Sequence, residues 1–197
     1  MSEEVKSLPL MRRRKLLGYL IPAMNIPLFL YNLYQTIIHL QEGMLIGSQM
    51  FWEDLIVLVS TLFLTWAIPR FFPVYKSKYQ LTPDGFKVSR LLRRTVTIPY
   101  KEINRVEVYI RVDDEISKDA TEYATDQSAN LRKSGFKFID YTNAEAIIMN
   151  MFVENSIYMI SPEKPKTLLK ELKRRNKKLT ARIIELTKRG KRIQDLS

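Results

Sequence analysis

Cysteine is absent from all 197 residues, and histidine occurs once, at His39. Disulfides, thiol nucleophiles and thiolate metal sites are therefore excluded, and a lone histidine has no second ligand with which to hold zinc. Glycine is scarce, with six residues, and none of them builds a phosphate-cradling loop. Serine and threonine are present, but nothing in the sequence supplies a base to activate them. The sequence thus predicts a protein that is not an enzyme and needs no cofactor or metal. The acidic run Asp113-Asp114-Glu115 comes nearest to a cation or general-acid site. It stands at a strand end before a polar segment, where solvated loop charge is expected.

Charge is also missing over long intervals. Leu16 to Leu40 is a run of 25 residues with no formal charge when His39 is neutral. At ~1.5 Å per residue, such a helix crosses a hydrocarbon core of roughly 30 Å. Leu55 to Ile68 is equally apolar but has 14 residues, so spanning requires Phe51 and Trp52 at one end or Phe71 and Phe72 at the other. Arg12, Arg13, Arg14 and Lys15 precede the first run, Gln41 to Asp54 contains three acids and no base, and Arg70, Lys76 and Lys78 follow the second. Excess Lys and Arg marks cytoplasmic flanks. The expected arrangement is a two-span hairpin in the cell membrane with both termini cytosolic. A secretory signal peptide has a shorter apolar core and a small-residue cleavage site, neither of which is present.

Polar groups inside the spans need partners in lipid. Asn25, Asn32 and Gln35 lie on roughly one helical face, and contact between helices is expected for them; the alternative is a solute path in an oligomeric pore or transport accessory.

The formal net charge of +11 is unevenly distributed. Residues 1–74 carry a net +1, residues 75–162 again +1, and residues 163–197 carry +9. Basicity belongs to the tail, and the region before it is close to neutral. From residue 75 the pattern is one of strands: Lys78 to Leu81, a turn at Thr82-Pro83-Asp84-Gly85, then Phe86 to Leu92, Thr95 to Pro99 and Ile103 to Val112. Residues 113–134 are polar and read as a long loop or a short helix. Strand signals return at Gly135 to Tyr141, Ala146 to Val153 and Ile157 to Ile160. Ser161 is then expected to cap a helix beginning at Pro162. Short antiparallel strands closed by one helix make a small barrel or sandwich plugged by that helix.

The segment Tyr79-Gln80-Leu81-Thr82-Pro83-Asp84-Gly85, followed by Arg94-Thr95-Val96-Thr97-Ile98-Pro99-Tyr100-Lys101-Glu102-Ile103, resembles the opening of the pleckstrin-homology-like domains of bacterial and archaeal membrane proteins. Ile157-Tyr158-Met159-Ile160-Ser161-Pro162 is similar to that family's last strand and the start of its closing helix. The resemblance covers about residues 76–175. It implies an α+β pleckstrin-homology-like small β-barrel or sandwich, capped by a C-terminal helix and preceded by the transmembrane hairpin. The chain then divides into four regions: a basic N-terminal segment (1–15), the hairpin (16–74), the domain (75–175) and a basic helical tail (176–197). Eukaryotic domains of this fold often hold inositol phosphates with bases at the first strand-to-strand loop. Here that turn carries Asp84 and no base. Arg93 and Arg94, in the next connection, are the candidates for lipid phosphate.

In the tail, heptads place Leu172, Asn176, Leu179, Ile183 and Leu186 along one seam, as a short coiled coil that self-associates would require. Arg174, Arg175, Lys177, Lys178, Arg182, Lys188 and Arg189 flank it as contacts for an anionic leaflet, an acidic partner or nucleic acid. No aromatic side chain is there to stack on bases. The functional expectation is a membrane-anchored binding or scaffold protein that engages protein partners or itself near the inner leaflet. A membrane-tethered RNA- or ribosome-binding factor is the other alternative.

Overall fold

In a computed structural model of the chain, residues 2–71, 74–112, 127 and 130–196 are described. They divide into two compact units, Met11–Tyr75 and Met1–Leu10 together with Lys76–Ser197.

The first unit is a helical hairpin of α1 (Arg12–Gln41) and α2 (Gln49–Phe71). Both helices are long and apolar enough to cross a membrane. α2 begins at Gln49, so Phe51 and Trp52 lengthen the short apolar run at its start. Partly buried stripes recur at helical spacing, Pro22, Asn25, Phe29, Asn32, Thr36 and His39 on α1 and Asp54, Leu58, Thr61 and Thr65 on α2, and along them the helices meet. Apolar side chains on the other faces, such as Leu16, Met24, Leu30, Ile56 and Leu62, are exposed. Pro22 has no N–H to donate to the Gly18 carbonyl one turn earlier. The Tyr75 hydroxyl donates to that carbonyl instead, at 3.4 Å. At the loop end His39 Nδ1 and Asp54 Oδ2 are 2.8 Å apart, joining the two helices.

Among its described residues the second unit holds ten strands and one helix of three turns, besides the helical residues 130–133. β1 (Glu3–Val5), β2 (Ser77–Leu81), β3 (Phe86–Arg90) and β4 (Arg93–Ile98) form an antiparallel sheet in that order. A 3-10 turn at Tyr100–Glu102 leads to β5 (Ile103–Arg111), then β6 (Lys137–Asp140), β7 (Ile147–Val153) and β8 (Ser156–Ile160). After α3 (Pro165–Arg175) come β9 (Thr180–Thr187) and β10 (Gly190–Leu196). The larger sheet runs β10-β9-β5-β7-β8-β6. One core fills the space between the sheets, with Tyr79, Phe86, Val88, Val106, Val108, Met149 and Met151 from the strands and Leu168, Leu169 and Leu172 from α3.

Several expectations are corrected. The tail is not a helix. α3 stops at Arg175, because Asn176 takes an extended conformation and its Nδ2 donates to the Tyr100 and Ile103 carbonyls at 2.9 and 3.0 Å. Beyond it the chain forms a β-hairpin turning at Lys188-Arg189-Gly190, with Gly190 at φ +129°. The supposed seam of Leu172, Asn176, Leu179, Ile183 and Leu186 is thus divided between helix, cap and strand. Leu172, Leu179 and Ile183 are buried in the domain's own core, and Leu186 packs with Ile184 and Tyr109. In β9 Ile183 and Leu186 fall on opposite faces, and the β-branched Thr180, Ile183, Ile184 and Thr187 favour extended backbone.

The N-terminal segment is likewise not separate from the domain, since Glu3–Val5 pairs with β2. The helix starts at Pro165 rather than Pro162, and Ser161 faces the interior instead of capping it. Two pairings, β5 with β9 and β6 with β8, are parallel. The acidic run Asp113-Asp114-Glu115 lies outside the described residues, as does most of the 113–134 segment; residues 130–133 are helical.

Candidate anion-binding site

Alternation along β2 and β3 sends Ser77, Tyr79 and Leu81, and Phe86, Val88 and Arg90, into the interior. The register sets Ser77 opposite Arg90, and Arg90 opposite Arg93 on β4. One end of the core is therefore polar. Asn143 is fully buried and pairs with Ser77 as a strand would, its Oδ1 accepting from Ser77 N at 2.7 Å and its Nδ2 donating to Ser77 O at 3.0 Å. Asn143 N and Ala144 N donate to Ser161 Oγ at 2.7 and 3.3 Å. The Tyr79 hydroxyl donates to Tyr141 O at 2.7 Å and accepts from Ser161 N at 3.1 Å. Burial is the main cause that raises the Tyr79 pKa above its usual value.

Two members of this cluster have no hydrogen-bond partner: Ser77 Oγ and all three nitrogens of the Arg90 guanidinium. Arg90 is 5% exposed. Its guanidinium carbon lies 5.3 Å from the centroid of the Tyr141 ring, and that of Arg93 lies 4.5 Å from the same centroid. Burial, and after it the charge of Arg93, push Arg90 down to about 10, and Asp140 acts in the opposite direction. Asp140 Oδ1 already accepts from the Thr142 N–H and hydroxyl, each at 2.7 Å. A buried guanidinium whose five N–H groups meet no protein acceptor has the chemistry to bind an oxyanion.

The residues expected from sequence fare unevenly. Arg93 donates to Asp140 O at 2.7 Å, and Arg94 reaches outward as an exposed side chain. Arg174 pairs with Glu171 at 2.6 Å. Arg175 stacks over Tyr100 and donates to Thr82 O at 3.3 Å, which makes it part of the fold. Arg182 pairs with Asp195 across the last hairpin at 2.7 Å, Lys177 and Lys178 lie in the turn after α3, and Lys188 and Arg189 lie at the hairpin tip. These bases do not form one stripe. Asn25, Asn32 and Gln35 are all partly buried on α1, and Asn32 Nδ2 donates to Leu28 O of its own helix.

A shallow trough of about 350 Å³ between α3 and β10 is lined by Lys166, Lys170 and Lys173 over Leu169, Ile183 and Leu196. Two of its lysines are engaged, Lys173 with Leu196 O and Lys166 with Glu185. Among the described residues no three His, Asp or Glu side chains gather to hold a metal.

Sequence reasoning overlooked Arg90, Ser77 and Asn143, and read Ser161 as a helix cap. The alternation Phe86, Val88, Arg90 carried the signal for the first of these, because it places an arginine at an inward position.

The profile of the bacterial PH domain family matches residues 77–176. The chain belongs to that family. No curated protein and no solved structure matches the chain. The match ends one residue beyond α3, so β9 and β10 extend the larger sheet of the PH domain, and β1 extends the smaller one, from outside the matched segment. The PH-family motif residues hold the domain together. Thr82 Oγ1 donates to Gly85 O at 2.7 Å and accepts from Gly85 N at 3.2 Å, and the Tyr100 hydroxyl donates to Thr82 O at 2.7 Å. Gly85 is required there, because a Cβ would stand 2.3 Å from Ile98 O. A PH-like domain suggests a role in binding or scaffolding.

Proposed function

We propose that the protein is a non-enzymatic binding or scaffold protein of the cell membrane, anchored by the α1–α2 hairpin and presenting its PH domain to partners at the inner leaflet. The observation that carries this reading is the pairing of a PH domain with two helices whose outward faces are apolar and exposed. Such faces are costly in water and favoured in lipid. Residues 1–10 and 76–197 share one compact unit, so both ends of the hairpin belong on one side, as two crossings require. The basic flanks of the helices and the acidic loop between them favour the cytosol for that side.

Because the chain has no cysteine, single introduced cysteines give a clean topology test. Ser48→Cys in the loop is expected to react with a membrane-impermeant maleimide on intact cells, and Lys177→Cys only after permeabilisation. Labelling of both on intact cells, or release of the protein from membranes by alkaline carbonate, rejects the reading. Partners are proteins or further copies of the chain, and crosslinking from Lys177→Cys in membranes is the means to capture them.

A further inference from the structure

Strand β10 ends the larger sheet, and among the described residues it pairs with β9 alone. The backbone of β9 fixes which way its peptide groups point. Leu186 O accepts from Val112 N at 3.0 Å, so the even-numbered residues of β9 turn their peptide groups to β5 and the odd-numbered ones turn theirs to β10. Pairing of Glu185 with Arg192 and of Ile183 with Gln194 then leaves the N–H and C=O groups of Lys191, Ile193 and Asp195 on the free edge. The register is unbroken from Gly190 to Leu196, and the strand contains no proline. Such an edge is a template for another strand. Ile193, at its middle, is 43% exposed.

The strand is its own complement. Laid antiparallel to a second β10 about a two-fold axis at Ile193, it sets Ile193 opposite Ile193, and Lys191 opposite Asp195 at both ends. These are the residues whose peptide groups face outward, so each N–H finds a carbonyl across the axis. Lys191, Ile193 and Asp195 also share one face, since they lie opposite Leu186, Ile184 and Arg182. Asp195, bonded to Arg182 at 2.7 Å, then stands between two bases. A slip of two residues either way leaves Ile193 opposite a charge. Charged residues on an edge deter pairing with most strands, and here they select one.

We propose that two copies of the chain join through their β10 strands, antiparallel about Ile193, so that their larger sheets become one continuous sheet. A second copy is chosen over any other peptide because the charge pattern and the hydrogen-bonding parity both close on themselves. The contact is small, and it forms between copies confined to one membrane, where their effective concentration is high. It therefore rests on the anchoring proposed above and names one of the partners. β10 lies outside the segment matched to the PH domain family, so the contact belongs to the hairpin that follows that segment.

The test uses the full chain in membranes. Ile193→Cys treated with a short bismethanethiosulfonate should give a covalent dimer, because opposed α-carbons in such a pair are ~5.5 Å apart. Arg189→Cys, exposed at the hairpin tip, should not, since its two copies would lie about 27 Å apart at ~3.4 Å per residue. Added to Ile193→Cys, either Lys191→Asp or Asp195→Lys sets like charges opposite each other at both ends and should weaken dimer formation about tenfold. Co-expression of these two variants should restore it, since the acids of one copy then face the bases of the other, and the rescue shows that both fold. Absence of the dimer at position 193 from membranes that retain the protein overturns the proposal. So do equal crosslinking at 189 and 193, charge variants that crosslink like the parent, a co-expressed pair no better than either variant alone, and capture of a different protein in place of a second copy. Release by alkaline carbonate with the dimer intact would instead reject the anchoring and leave the strand pairing standing.

Discussion

Replacing Asn143 tests the polar end of the core most directly. Its side-chain amide takes the place of a neighbouring strand for Ser77, accepting at 2.7 Å and donating at 3.0 Å, with both residues fully buried. Asn143→Ala leaves one buried N–H and one buried carbonyl of Ser77 without partners, and each costs about 1–3 kcal/mol. The contacts of the Asn143 backbone N–H with Ser161 are untouched, so the loss is confined to the two bonds and a small void. The expected destabilisation is about 2–5 kcal/mol, a large share of the stability of a small domain. Hydrogen exchange of the full chain in detergent reads it locally, as faster opening of residues 77–81.

Asn143→Asp sharpens the test. Its carboxylate keeps the acceptor for Ser77 N, but sets an anionic oxygen against Ser77 O where the amide donated. The protonated carboxyl restores the donor, so the folded-state pKa is raised above the unfolded value of about 3.9. With a raised pKa, the stability contribution is present below the unfolded value and is lost as pH rises through the folded one. Asn143→Asp should therefore resemble the parent near pH 4 and fall towards Asn143→Ala at neutral pH. A cost below about 0.5 kcal/mol for Asn143→Ala, or an aspartate variant with no added pH dependence, would refute this account of the site.

Three further outcomes are expected. The lowering of Arg90 to about 10 corresponds to roughly 3 kcal/mol against the charged form, of which stacking on Tyr141 returns about 1, so Arg90→Met should stabilise the protein by about 2 kcal/mol at neutral pH. Because the folded pKa is depressed, the parent's penalty is present below about 10 and fades only as pH rises above it; denaturation of both proteins at pH 7 measures the difference, and a clear loss in the variant would mean the guanidinium has partners. Tyr79→Phe should cost about 1–3 kcal/mol at pH 7, since Tyr141 O and Ser161 N lose their partner. It should also flatten the loss of stability at alkaline pH, because a raised tyrosine pKa withdraws its contribution as pH climbs through it; a variant with the parent's alkaline slope would show that Tyr79 is not the source. Gly85→Ala drives a Cβ to within 2.3 Å of Ile98 O, backbone against backbone, and should lower the melting temperature by an amount equivalent to at least about 2 kcal/mol; an unchanged melting curve would contradict the packing of that turn.

The strands from Lys78 to Ile160 were legible because period-two alternation and Pro-Gly turn chemistry are local signals. The long apolar runs were legible because little else excludes charge for so long. The last hairpin was not, since Leu179, Ile183 and Leu186 have helical spacing, and pairing with β5 holds the segment extended with Ile183 and Leu186 on opposite faces. β1 escaped notice for a similar reason: Glu3-Glu4-Val5 has no strand signal of its own and is ordered by the edge of β2. At the site, Arg93 and Arg94 were singled out as charges in a turn. Alternation with Phe86 and Val88 marked Arg90 as inward-facing, but its lack of a hydrogen-bond partner is a property of the folded core that the sequence does not record.

The pairing of β1 with β2 has a consequence for how the protein is made. The first strand of the smaller sheet leaves the ribosome before the helical hairpin, and its partner leaves after it, with residues 11–75 between them. Strand β1 must wait, unpaired, until the hairpin has been made and β2 has followed it. The sheet closes only when the two flanks of the hairpin meet, so a chain that holds those flanks apart cannot pair β1 with β2. An N-terminal fusion or trimming event thus acts on the domain rather than on the hairpin alone.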